Sequence, residues 1–111
     1  TTGQDATLQG MEWILQGFQC GSVYKAIYQE AQDAVALATI LRAGKHPPAA
    51  LVNAQTTPPK NVAGSAQPAS LLTPVWVTTA NMASTVISDK FIDASTLCTA
   101  VSNAVCTAAG I

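Results

Sequence analysis

The stretches Thr2-Gly3-Gln4-Asp5-Ala6 and Ser22-Val23-Tyr24-Lys25 decide the fold class of this chain. Each reads as the end of a strand or loop that carries a charged side chain. Residues 7–18 lie between them and predict one amphipathic helix, because apolar side chains recur there at steps of three and four. This helix-then-strand order predicts that Asp5 and Lys25 lie at one edge of an open α/β sheet, where such sheets bind ligands.

The two charged side chains predict the chemistry of a ligand. Asp5 offers an anionic acceptor and Lys25 a cationic donor. A polyhydroxylated ligand suits such a pair, because each hydroxyl both donates and accepts hydrogen bonds. Gln4 precedes the carboxylate, and either shapes the turn or contacts the ligand.

Several motifs resemble one known family. Gly-Gln-Asp-Ala at the start, Val-Tyr-Lys before a helix that runs from Gln29 to Arg42, and Pro-Val-Trp-Val-Thr-Thr-Ala-Asn at residues 74–81 carry the resemblance. Together they resemble the later part of the sugar-binding proteins of ABC transporters, in the xylose-binding branch of the type I periplasmic binding proteins. The resemblance covers most of the chain, is weakest over residues 45–70, and corresponds to the C-terminal third of such a protein.

The resemblance implies an α/β fold: the C-terminal portion of a two-lobe type I periplasmic-binding-protein fold, with open parallel sheets flanked by helices. Residues 1–25 would belong to the C-terminal lobe, residues 26–79 would return to the N-terminal lobe and hinge, and residues 80–111 would cross back. Such a piece is expected to be incomplete alone, because unpaired sheet edges would be exposed. The length of 111 residues points the other way, since it suffices for one domain.

The resemblance also implies roles for individual residues. Asp5 matches a position whose carboxylate accepts hydrogen bonds from sugar hydroxyls, and Lys25 matches a position that donates to the sugar. The structural alternative for Asp5 is an N-cap of the following helix, which Thr7 can also provide. For Lys25 the alternative is a hinge salt bridge with Asp5 itself.

The function implied is that of a substrate-binding protein of an ABC sugar importer, which binds a xylose-like monosaccharide in the inter-lobe cleft. Its partners would be the sugar, the missing N-terminal part (in one chain or as a separate chain) and a membrane permease, with no cofactor. The protein would be exported, either periplasmic or lipid-anchored at the outer cell surface. The alternative is a sugar-sensing ligand domain of a transcriptional regulator or receptor.

The cysteines bear on the compartment. Cys98 and Cys106 are eight residues apart, which is about 12 Å on a continuous helix and too far for a disulfide. They can pair only if Cys98 precedes the helix or if the helix breaks between them; otherwise they and Cys20 are buried thiols. A disulfide would fit an exported protein. With one histidine, His46, and no metal-finger spacing, no metal site is expected.

Composition and motifs also exclude other classes. A net charge of −1 without a basic cluster argues against nucleic-acid binding. The chain has no run of eighteen apolar residues. An enzyme is not expected, because Asp5 has no second carboxylate at a suggestive position and no nucleophile or phosphate-binding motif occurs.

The remaining sequence predicts further elements. An alanine-rich face of the second helix, over residues 29–43, suits packing against a sheet. Residues 45–70 hold five of the six prolines and predict a long surface excursion without regular structure. The other predicted elements are a strand over residues 71–79, a helix or turn over residues 81–92 and a helix over residues 96–109.

Overall fold

A computed structural model describes residues 1–58 and 64–111 of the chain. Short strands and helices alternate in an α/β arrangement with two small sheets. The strands are β1 (Gly3–Gln4), β2 (Ser22–Tyr24), β3 (Ala54–Gln55), β4 (Pro68–Ala69) and β5 (Val75–Val77). The helices are α1 (Leu8–Leu15), α2 (Ile27–Arg42), α3 (Ala94–Thr99) and α4 (Asn103–Ala108), with a π-helix at Ala83–Ile87. Within the described ranges, no helix is long and apolar enough to cross a bilayer.

Strand β2 lies between β1 and β5 in a three-stranded sheet. It runs parallel to β1, with Gly3 opposite Ser22, and antiparallel to β5, with Tyr24 opposite Val75. The expectation of a parallel sheet is therefore wrong for β5. The reason is that the chain leaves the sheet at the end of β2 and re-enters it beside that end, at the start of β5. Strand β5 therefore runs in the opposite direction to β2. Strand β5 is an edge strand that begins after Pro74, a position that proline tolerates.

The chain separates into two compact units. The first consists of Thr1–Ala26 and Thr73–Ile111, and the second of Ile27–Leu72. Strand β5 therefore belongs to the first unit, whereas the lobe assignments of residues 1–25, 26–79 and 80–111 stay predictions. The core of the first unit joins α1, the sheet, the π-helix and the C-terminal helices. Its fully buried apolar side chains include Met11, Val77, Met82, Val86 and Leu97.

Helix α1 has the amphipathic character that its sequence predicts. Its buried apolar side is formed by Met11, Ile14 and Leu15. Thr7 is the N-cap, and its Oγ1 accepts a hydrogen bond from the N–H of Gly10 at 3.2 Å. The helix is shorter than residues 7–18, because the chain turns at Gly17, which has a left-handed φ of 81°.

The face of α2 that was expected to pack against a sheet is exposed, so that prediction is wrong for the described chain. This outer face carries Ala31, Ala34, Val35, Ala38 and Leu41; Val35 is 68% and Leu41 60% exposed. The half-buried residues, Asp33, Ala36, Leu37 and Ile40, lie on the opposite side of the helix. Helix α2 thus has apolar residues on two opposite sides, which is typical of a helix that is covered on both.

Residues 45–70 contain regular structure that the sequence did not predict. Strands β3 and β4 pair antiparallel, with Ala54 opposite Ala69. Beside this pair, Asn53 Oδ1 accepts from the N–H of Leu71 at 2.9 Å and Asn53 Nδ2 donates to the carbonyl of Leu71 at 3.0 Å. The predicted unstructured excursion is therefore wrong for these segments. Residues 59–63 of that prediction lie outside the described residues.

The C-terminal segment forms two short helices, so the single helix predicted over residues 96–109 is wrong. Asp93 caps α3, and Ser102 stands at the N-cap position of α4. The break between them brings the Cα atoms of Cys98 and Cys106 to 6.0 Å, and their sulfurs form a disulfide. Of the two arrangements that permit pairing, the structure has the broken helix.

Candidate functional site

Asp5 and Lys25 face each other at the ends of two paired strands. Strand β1 ends at Gln4 and the parallel strand β2 ends at Tyr24, so each charged residue follows its strand directly. Lys25 Nζ lies 2.7 Å from Asp5 Oδ1. The Lys25 side chain is 42% exposed and the Asp5 side chain 62%, so this ion pair is open to solvent.

The backbone at this point is held in an uncommon conformation. Asp5 has a φ of 70° and Ala6 a φ of 46°. Aspartate tolerates the left-handed region, whereas alanine pays for it, with a cost on the order of 1 kcal/mol or more. An exposed ion pair contributes only about 0.2–1 kcal/mol. The ion pair therefore contributes too little free energy to offset the strain of this turn. Backbone strain of this kind clusters at functional sites.

A buried serine holds this turn in place, and a buried glutamine supports the strand that leads into it. Ser22 is 1% exposed, and its Oγ accepts a hydrogen bond from the N–H of Ala6 at 3.1 Å. Gln19 is 7% exposed, and its Nε2 donates to the carbonyl of Gly21 at 3.2 Å. The same carbonyl accepts from the N–H of Gly3 at 2.9 Å, so Gln19 supports the start of β1. A Cβ at Gly3 would lie 2.5 Å from Gln19 Nε2, so a larger residue there would displace the end of the Gln19 side chain.

Asp5 is not the N-cap of α1, a role that the sequence left open for it. Thr7 provides the side-chain cap of α1, and the Asp5 carboxylate is instead paired with Lys25. The salt bridge that was the alternative reading of Lys25 is therefore present. It does not exhaust either group, because an ammonium has three N–H donors and a carboxylate two acceptor oxygens. The pair remains able to donate to and accept from the hydroxyls of a ligand.

Gln4 and the residues of the motif at 74–81 take less central positions. Gln4 is exposed on β1, opposite Val23. Trp76 packs over Gly21, where an added Cβ would lie 2.5 Å from the indole ring, yet it is 45% exposed. The Asn81 side chain closes the turn after β5, because its Oδ1 accepts from the N–H of Thr78 and its Nδ2 donates to the carbonyl of Trp76.

Ser22 and Gln19 are the residues that sequence reasoning missed. Both lie near the Val-Tyr-Lys motif. Neither their spacing nor their residue type shows that their side chains form buried hydrogen bonds with the backbone. Cys20 is a free thiol that is exposed rather than buried. Among residues 1–58 and 64–111, no cluster of His, Cys, Asp or Glu is arranged to hold a metal ion.

Comparison with known proteins gives an informative structural neighbour. No protein-family profile matches the chain, and no curated protein matches it. The structure is similar to the crystal structure of a carbohydrate transporter solute-binding protein from Chloroflexus aurantiacus in complex with D-glucose, with a TM-score of 0.70 and 28% identity. The match covers 85% of this chain and 26% of that protein. The chain is therefore similar, in fold and in sequence, to about a quarter of a carbohydrate-transport solute-binding protein.

Proposed function

We propose that this chain is part of the solute-binding subunit of an ABC sugar importer, and that the complete protein clamps a monosaccharide between two lobes. The observation that carries the proposal is the exposed pair of Asp5 and Lys25 at the ends of parallel strands. The ends of parallel strands are where open α/β sheets bind ligands. The similarity to a protein that was crystallised with D-glucose supports a sugar as the ligand.

In this proposal Asp5 accepts hydrogen bonds from sugar hydroxyls and Lys25 donates to a sugar oxygen, while Gln4 borders the site. Hydrogen bonds to charged groups are worth about 1.5–3 kcal/mol each. A sugar that lacks or inverts a hydroxyl leaves one of these groups unpaired, and that gives selectivity. The Val-Tyr-Lys motif supports a xylose-like sugar within a type I periplasmic binding protein.

The proposed partner of α2 is further polypeptide of the same protein, either continuous with this chain or separate. The exposed apolar face with Val35 and Leu41 supports it, because an amphipathic surface helix carries charged and polar residues on its outer face. The neighbour supports it as well, because the match covers 26% of that protein and most of its chain therefore lies outside the match.

Export belongs to the same proposal. The Cys98–Cys106 disulfide supports an oxidising compartment, the periplasm or the outer cell surface, because thiols stay reduced in the cytoplasm. There the closed, sugar-bound form would be recognised by a membrane permease. The chain would then act as a binding protein without catalysis and without a cofactor.

Titration calorimetry of the full-length polypeptide with D-xylose and D-glucose tests the proposal. Asp5→Asn removes the charge and still tolerates the left-handed φ, and Lys25→Met removes the ammonium but keeps the chain length. Each should weaken binding by about 1.5–3 kcal/mol. Lys45→Met, at an exposed position after α2, is the matched control and should bind like wild type. Unchanged affinity in both site variants would remove Asp5 and Lys25 from the site, and absence of binding to wild type would overturn the proposal.

A further inference from the structure

We infer that Ser22 is a positioning residue for ligand binding, which acts through the backbone of Ala6 on the carboxylate of Asp5; this inference rests on the proposed function. Ser22 and Gln19 are the buried polar side chains among the described residues, and both support the segment that carries Asp5. Ser22 contacts that segment at the residue directly after Asp5.

The backbone of Ala6 is held by a single side chain. Ala6 is fully buried, and its N–H donates to the side-chain hydroxyl of Ser22 rather than to a backbone carbonyl. A buried N–H without an acceptor is costly, so this hydrogen bond fixes where the turn can lie. With a φ of 46°, Ala6 adopts a conformation that alanine leaves when nothing holds it.

The same turn carries Asp5, whose backbone is also held by β2. Asp5 also has a left-handed φ, and its N–H donates to the carbonyl of Val23 at 2.8 Å. Strand β2 thus holds the segment at two points, through the Val23 carbonyl at the N–H of Asp5 and through the Ser22 hydroxyl at the N–H of Ala6. The Asp5 carboxylate extends from this doubly held segment, and Asp5 Oδ1 lies 2.7 Å from Lys25 Nζ.

A positioning role of Ser22 and a purely structural role predict different effects on sugar binding. A serine that served only the fold would affect sugar binding equally whether or not residue 5 carries a carboxylate. A serine that aims the carboxylate matters only while that carboxylate is present. Residues that act through one another give non-additive effects, which a double-mutant cycle measures.

The experiment is a cycle of Ser22→Ala, Asp5→Asn and the double variant, in the full-length polypeptide, with D-xylose and D-glucose as calorimetric probes and thermal unfolding as a second readout. We expect Ser22→Ala to weaken sugar binding about tenfold in wild type and less than about twofold in the Asp5→Asn background. Its effect on the unfolding temperature should be the same in both backgrounds. Ser22→Cys keeps the volume with a weaker acceptor, and its affinity should lie between those of wild type and Ser22→Ala.

The outcomes distinguish this inference from the proposed function. Equal weakening by Ser22→Ala in both backgrounds would overturn the positioning role and leave sugar binding intact. A wild-type protein that binds neither sugar would overturn both. If Ser22→Ala does not fold, an affinity of Ser22→Cys equal to that of wild type contradicts positioning, and a reduced affinity that disappears in the Asp5→Asn background supports it.

Discussion

The hydroxyl of Tyr24 donates a hydrogen bond to Asp89 Oδ2 at 3.1 Å and thereby joins β2 to the segment after the π-helix. The two residues are 65 positions apart in sequence. The Tyr24 ring also packs at a tilt against Phe91, with ring centroids 5.1 Å apart. Since Tyr24 directly precedes Lys25, these contacts fix the strand end from which the ammonium extends.

Tyr24→Phe should destabilise the protein by about 1.5–3 kcal/mol, the usual net value of a hydrogen bond to a charged group. The ring packing remains in this variant, so the loss reports on the hydroxyl. Urea unfolding measures it. Asp89→Asn, which keeps an acceptor oxygen, is the matched control and should cost less. Equal stability of wild type and Tyr24→Phe would show that the hydrogen bond contributes nothing.

Reduction of the Cys98–Cys106 disulfide should lower the free energy of unfolding by about 2–3 kcal/mol, as loop-closure entropy gives for a separation of eight residues. The bond connects α3 with α4, and Cys106 is buried in the core of the first unit. Urea midpoints with and without reductant measure the effect. Cys20→Ser removes the exposed free thiol and should leave this difference unchanged. Coinciding midpoints would contradict the stabilising role.

Acid should weaken the start of α3 through Asp93. The Ser95 hydroxyl, followed by the backbone N–H and hydroxyl of Thr96, holds the pKa of the Asp93 carboxyl below its ordinary value of 3.8. A group whose pKa is lower in the folded state contributes stability that is fully present above pH 3.8 and is lost as pH falls through the folded-state pKa. Below that pH, wild type should therefore lose thermal stability more steeply than Asp93→Asn.

Thermal unfolding across this acid range checks the prediction, since Asn retains a capping oxygen and does not titrate. Glu30→Gln, an exposed change in α2, serves as the control and should follow wild type. Parallel acid profiles of wild type and Asp93→Asn would show that this cap does not contribute to acid sensitivity.

The sequence predicts the strand ends better than the details that fix them. Asp5 and Lys25 meet as the helix-then-strand order implies, because residues that follow two adjacent parallel strands meet at one edge. The left-handed φ of Ala6 has no sequence signal, since alanine has no preference for that region. The hydrogen bond from Ala6 to Ser22 was therefore invisible, although it holds the turn.

Short and two-sided elements were the other source of error. Strands β3 and β4 have two residues each, too few for an alternating pattern to be recognised. Helix α2 presents apolar side chains on opposite sides, for example Val35 on one and Leu37 on the other. The spacing of apolar residues in the sequence indicates both sides of α2. It does not show which of the two sides is covered by the rest of the described chain.

The outer face of α2 provides the last prediction, because burial there depends on further polypeptide. Val35→Asp should destabilise the full-length protein by at least about 2 kcal/mol more than Gln32→Asp, since it removes a packed valine and buries a charge. Gln32 is an exposed polar residue of the same helix, so it controls for helix propensity and for the added charge. Urea unfolding of both variants gives the comparison. Equal costs would mean that Val35 remains in solvent in the complete protein, and the proposed partner of this face would have to be abandoned.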